Sequence, residues 1–110
     1  MINDLLKRLD ANAMGFAEVL DYIAAEYEYY PSSFKNGELY NAENENQGSA
    51  RILAFAEICS LSKEDTLRLF AEHYRAVLAD PDGAGHQNIR QFMQYGWEAV
   101  KFDRAVLVRK

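Results

Sequence analysis

Two histidines, His73 and His86, a single cysteine, Cys59, and 17 acidic residues are the side chains here that could do acid-base, nucleophilic or metal chemistry. Nucleophilic catalysis needs a nucleophile within hydrogen-bond reach of a base, so the thiol option is Cys59 with His73 or His86. Cys59 falls on the apolar stripe of a helix, where cysteine behaves as a small inert hydrophobe, and the structural reading is preferred. A metal centre needs clustered ligands, whereas the histidines stand thirteen residues apart and outside any paired-histidine helical motif. Neither a metal site nor a cofactor is expected. Calcium loops fare no better: counted from Asp80, Gly85 is sixth but Gln91 twelfth, and from Glu43, Gly48 is sixth but Ala54 twelfth, so both lack the bidentate glutamate. Glu43 and Glu45 sit in a flexible acidic stretch with no desolvation to separate their proton affinities. Gly83-Ala84-Gly85 lacks the later Gly or Lys-Ser/Thr of a phosphate-binding loop.

What remains is polar and aromatic. His86, Asn88 and Arg90 head or line a helix, with Arg90 four residues after His86 and hence expected on the same side, a group able to bind an anion or a sugar at a helix N-terminus. The plainer reading is that His86 caps the helix and Arg90 pairs with an acid. Asn36 and Asn46 are the amide groups expected beside them, so the candidate binding residues are His86, Asn88, Arg90, Asn36 and Asn46. Tyr27, Tyr29, Tyr30 and Tyr40 gather around a predicted turn; exposed, they would form a glycan or protein docking surface, and packed on Trp97 and Phe102 they would be core, the preferred reading.

The elements that must position these groups follow from hydrophobic spacing. Ile2, Leu5, Leu6 and Leu9 predict a short first helix that ends by Asn12 to Gly15, and Phe16, Val19, Leu20, Ile23 and Tyr27 predict an amphipathic second one. Pro31 and the tyrosines before it turn the chain extended. Phe34-Lys35-Asn36-Gly37-Glu38-Leu39 reads as a hairpin with Asn36-Gly37 as a type I′ turn. The polar run from Asn41 to Gly48 is a loop ending at Ser49, a predicted N-cap, and the helix that follows to about Ser60 is apolar nearly all round, which marks it as the central element. Ser62 caps a further helix predicted to run unbroken through Leu67, Phe70, Ala71, Tyr74, Val77 and Leu78. Asp80-Pro81-Asp82-Gly83 turns the chain into a last helix carrying Ile89, Phe92 and Met93, which Gly96 stops in a left-handed C-cap. Val100 to Phe102 and Ala105 to Val108 are β-prone and expected to pair with the hairpin.

The expectation is a mainly α (α+β) fold of about five helices packed around one core with a small antiparallel β-hairpin or sheet, in one domain spanning 1–110. At 110 residues with 49% hydrophobic and 26% charged residues the chain is far too apolar for disorder. The net charge of -5 is concentrated early: residues 1–60 hold 4 basic and 10 acidic side chains, and 61–110 hold 8 and 7. Without a basic run, nucleic acid and anionic membrane surfaces are excluded as expected partners. No stretch reaches the ~20 apolar residues of a membrane span, and Met1-Ile2-Asn3-Asp4 runs into charge before any signal-peptide core, so a cytoplasmic, reducing start is expected, which a lone cysteine fits.

The ordered strings Phe34-Lys35-Asn36-Gly37, Asn46-Gln47-Gly48-Ser49, Phe55-Ala56, Phe70 with Tyr74-Arg75-Ala76-Val77-Leu78, Pro81-Asp82-Gly83, and above all His86-Gln87-Asn88-Ile89-Arg90-Gln91-Phe92-Met93-Gln94-Tyr95-Gly96-Trp97 resemble the HopJ type III effector family over about residues 16–102. Ser49-Ala50-Arg51 departs from a Ser-Cys-Lys run expected there and removes a family cysteine. The resemblance implies a small bacterial single-domain protein, with secretion through a type III system as its implied route, and it names no biochemical activity. The function expected is therefore a non-enzymatic binding or interaction module for an unidentified protein, small-molecule or glycan partner. The alternative is a small hydrolase or lyase using His86 as general base, which requires a pocket and a carboxylate within its reach.

Overall fold

Ala50, Ile52, Leu53, Ala54, Phe55 and Ala56 are all buried, so one helix is surrounded on nearly every side and the rest of the chain is arranged about it. A computed structural model describes residues 2–110. The central helix is α3 (Gln47–Ile58). Before it come α1 (Ile2–Asp10), α2 (Phe16–Glu26), β1 (Tyr27–Tyr29), β2 (Phe34–Asn36) and β3 (Leu39–Asn41). After it come α4 (Lys63–Arg68), α5 (Glu72–Ala79), α6 (Gln87–Tyr95), a 3₁₀ turn (Trp97–Ala99), β4 (Val100–Phe102) and β5 (Leu107–Arg109). This is an α+β fold with six helices and two small antiparallel sheets.

The predicted apolar stripes of the first two helices face the core, whereas Leu78, placed on the stripe of the helix after Ser62, is exposed. Leu5, Leu6 and Leu9 of α1 and Val19 and Ile23 of α2 are buried. Arg68 of α4 ties α1 down by donating to Leu6 O at 3.2 Å and pairing with Asp10, while Asp65 holds the same guanidinium at 2.6 Å. Gly48 lets α2 and α3 approach closely, because a Cβ there would lie 3.3 Å from the Phe16 ring.

The helix predicted to run unbroken from Ser62 to Leu78 is two helices. Leu69, Phe70 and Ala71 are all buried at the junction between them. The chain breaks there, with Ala71 at φ 52° and ψ -123°, and α5 sets off in a new direction. The start of α3 also differs from expectation. Asn46 in the left-handed region (φ 51°) is its N-cap, three residues before the predicted N-cap Ser49, which lies inside the first turn.

The hairpin turns one residue later than predicted. Asn36 pairs with Leu39 as a strand residue, leaving Gly37-Glu38 as the turn, with Gly37 at φ +62° and Glu38 outside the positive-φ set. Glycine first in a two-residue loop is the II′ pattern in place of I′. The register moves because Asn36 is fully buried and its amide is held from below. β4 pairs with β2 as expected of the C-terminal segment, with Phe102 opposite and stacked on Phe34 (5.5 Å). β5, however, leaves the hairpin and pairs with β1, joining Tyr27 to Arg109. Gly96 ends α6 at φ +68°, ψ -160°, a region nearly reserved to glycine and distinct from the left-handed cap expected. Trp97 then anchors the turn by donating to Leu61 O at 3.0 Å and meeting the Phe92 ring edge-on at 5.0 Å.

Candidate functional site

Four asparagine side chains, from two strands and two helix starts, meet beneath α6. Asn88 Nδ2 donates to Asn41 Oδ1 at 3.0 Å and Asn41 Nδ2 returns a bond to Asn88 Oδ1 at 3.2 Å, a reciprocal amide pair. Asn36 Nδ2 reaches both Asn88 O (2.8 Å) and Asn88 Oδ1 (3.1 Å), and Asn46 Nδ2 donates to Asn41 Oδ1 at 2.8 Å. Asn36, Asn41 and Asn88 are buried, where an amide is tolerated only when hydrogen-bonded. One atom escapes this satisfaction, Asn36 Oδ1, which is buried with no partner among the described residues. Gln47 extends the polar scaffold on the other side, accepting from Tyr29 Oη (2.8 Å) and donating to Ser32 O (3.0 Å) and Glu45 O (2.9 Å). Together these bonds fix the start of α6 against the start of α3.

Over this scaffold opens a cleft of about 430 Å³ lined by Phe16, Leu39, Asn46, Ser49, Phe70, His73, His86, Gln87, Asn88 and Ile89. His86 is the exposed N-cap of α6, in left-handed conformation (φ 55°), and its side chain makes no capping bond. His73, in the first turn of α5, brings its ring to 4.9 Å from that of His86, centroid to centroid, at an interplanar angle of 36°. Phe16 meets His73 edge-on at 4.7 Å and stacks at 6.2 Å on Phe70. No lysine, arginine, aspartate or glutamate lines the cleft. Neither imidazole is ion-paired among the described residues.

Glu72 stands beside His73 in sequence, in the first turn of α5. It accepts the Phe16 N–H at 2.7 Å and so caps α2 from a distance. Partial burial pushes its carboxyl up, yet the bonds from Phe16 N–H and its own N–H, with His73 and Arg75 nearby, outweigh this and hold it below the usual carboxylate value.

Of the five residues singled out from sequence, His86, Asn88 and Asn46 line this cleft, and Asn36 lies in the amide network behind it. Arg90 does not join them. It donates to Gly85 O (2.6 Å) and Pro81 O (3.2 Å) and lines a separate cleft with Val77, Leu78 and Pro81. Four-residue spacing failed as a guide because His86 has left-handed backbone and stands outside the helical register that Arg90 follows. Sequence reasoning missed the cleft's other imidazole, His73, and with it Phe16, Leu39 and Ser49. Their meeting is tertiary, between elements far apart in sequence, and leaves no spacing signal.

Cys59 is only half-buried, at the end of α3, and burial pushes its thiol up despite Arg109. Ser49 lines the cleft ten residues earlier on the same helix, and at 1.5 Å per residue this puts the thiol about 15 Å away. The tyrosines divide. Tyr27 is buried and Tyr29 is held under Arg51 (4.7 Å), whereas Tyr30 and Tyr40 are 45% and 63% exposed. Among the described residues no three His, Cys, Asp or Glu side chains gather as metal ligands, and no helix is long and apolar enough to cross a membrane.

Comparison with known proteins gives two matches. The model of the family described as HopJ type III effector protein matches residues 2–107. A solved structure described as the crystal structure of unknown function protein VPA0580 superposes with a TM-score of 0.90 at 37% identity, covering 100% of this chain and 94% of that one. No curated protein matches.

Proposed function

The chain belongs to the HopJ type III effector protein family, and on that premise we propose that it acts as a non-enzymatic binding module whose ligand occupies the cleft between His73 and His86. The observation that carries this reading is the ring contact of the two imidazoles at 4.9 Å within a cleft free of carboxylates. A general base needs a third group to orient it and set its tautomer. Here the two imidazoles meet each other and His73 also meets the Phe16 ring, an arrangement suited to holding a ligand. The amide network supports the same reading, since it fixes two helix starts rigidly around the opening and so reduces the ordering cost of binding. Within this proposal Asn46, Asn88 and His86 bear on the ligand, Asn36 positions Asn88, and Arg90 braces the loop before α6.

The partner is proposed to be a small molecule, or the side chain of a protein, that fits about 430 Å³. Family membership supports a chain made in the cytoplasm and passed through a type III system, which a translocation reporter fused to the full chain would check.

A thermal-shift screen over sugars, phosphates, carboxylates and metals tests the binding reading, because a ligand that prefers the folded form raises the melting temperature. A ligand that protects the wild type but not His86→Ala is the expected result. Hydrolysis of a chromogenic ester or phosphoester panel that disappears in His86→Ala would replace it with the general-base alternative.

A further inference from the structure

Resting on that binding reading, we infer that the cleft recognises an oxyanion carried on an apolar body, a carboxylate or phosphoryl group held between the imidazoles of His73 and His86. Four observations converge on this class. The cleft's titratable groups are these two rings, and an imidazole that takes up a proton becomes a cation. Protonation of either ring places a charge 4.9 Å from its neighbour, in a cleft whose lining offers no acid to neutralise it, so an anion entering from outside would fill that role. Phe16, Phe70, Leu39 and Ile89 supply apolar wall for the rest of such a molecule, and Ser49 supplies a hydroxyl donor. The first turns of α3 and α6 both contribute lining residues, and neither N-cap side chain occupies its helix's free N–H groups, so two positive helix ends lie at the opening.

Four charged groups on the surrounding elements are otherwise engaged. Glu18 and Glu72 cap the start of α2, Glu45 accepts from Ala42 N–H, and Arg90 is turned to the loop carbonyls on the far side of α6. Glu72 feels the neighbouring His73, and one of its carboxylate oxygens is held by Phe16 N–H. A transition metal is the rival ligand for paired imidazoles. Two features disfavour it: among the described residues no third His, Cys, Asp or Glu completes a site, and the helix ends present positive charge to the cleft.

Calorimetric titration of the full chain with benzoate, phenyl phosphate and the neutral isostere benzamide, at pH 6 and pH 8, tests the assignment. An anion is expected to bind at least fivefold tighter at pH 6, to shift the imidazole resonances of both histidines, and to exceed benzamide at least tenfold; the tighter of benzoate and phenyl phosphate distinguishes carboxylate from phosphoryl recognition. His73→Gln and His86→Gln should each weaken it at least tenfold, and so should Ser49→Asp, which keeps both rings and adds an acid to the lining. Equal binding of benzamide at both pH values, anion binding indifferent to all three substitutions, or stoichiometric zinc uptake that excludes the anion would overturn the inference. If benzamide or zinc still moves the histidine resonances, the cleft remains a binding site and the anion class alone is wrong. If no probe moves them, both readings fall.

Discussion

At the scale of single residues, the buried amides carry more structural weight than the imidazoles. Asn88→Ala removes the reciprocal pair with Asn41 and one acceptor of Asn36, while Asn46 still donates to Asn41 Oδ1, Phe34 O still accepts weakly from Asn41 Nδ2 at 3.4 Å, and the residue 88 carbonyl still accepts from Asn36. Three side-chain bonds are lost from buried amides that each keep a second partner, so at roughly 0.5–1.5 kcal/mol per net hydrogen bond a loss of about 2 kcal/mol is expected in urea unfolding with the m-value unchanged. Asn46→Ala removes a bond from an exposed residue and should cost about 1 kcal/mol. Sequence inspection picked out Asn36, Asn46 and Asn88 as binding groups because polar residues beside turns and helix ends look alike whether they face solvent or one another. Glu72 offers a pH-dependent counterpart. Its folded-state proton affinity is depressed, so its contribution is fully present above the unfolded value of about 4.5 and lost as pH falls through the lower folded one. The urea midpoint of Glu72→Gln should therefore lie below the wild type at pH 7 and converge on it at pH 3.

At the scale of elements, the break between α4 and α5 shows both how far periodicity reads and where it stops. Leu67, Phe70, Ala71, Tyr74 and Val77 do fit one helical register, and the separate fact that Leu69 is also buried is invisible to it. Where a helix stops depends on what packs around it, and α4 meets α1, α3 and α6, which spacing along one segment does not contain. The break leaves Ala71 in a backbone region that a Cβ strains by up to about 3 kcal/mol. Ala71→Gly relieves this, at the loss of a buried methyl worth about 0.8 kcal/mol and of about 0.7 kcal/mol through the freer unfolded chain. A net gain of about 1 kcal/mol is expected by chemical denaturation, whereas Ala71→Val should destabilise. The hairpin erred for a similar reason. Asn-Gly is a strong local turn signal, and the long-range pull of Asn88 on Asn36 shifted it by one position.

At the scale of the whole molecule, fold class, the central place of α3 and the existence of a small sheet were legible, because each rests on how many apolar side chains a segment must hide. Residues such as Ile52, Leu53 and Phe55 announce this directly. The cleft was not legible, since His73 and His86 meet only when α5 changes direction at Ala71 and α6 is seated by Asn88. The pairing of β1 with β5 escaped for the same cause. It joins strands whose partners, Tyr27 and Arg109, lie 82 positions apart along the chain. A ribbon that spans such a loop cannot form until most of the intervening chain has collapsed, because the entropy of closing the loop is paid before the few strand bonds return anything. Backbone amides of Tyr30 and Lys110, which donate across this ribbon to Val106 O and Glu26 O, should accordingly gain protection later than those of Ile52 to Phe55 in pulsed hydrogen exchange, and Leu107→Ala should speed unfolding while leaving the refolding rate nearly unchanged.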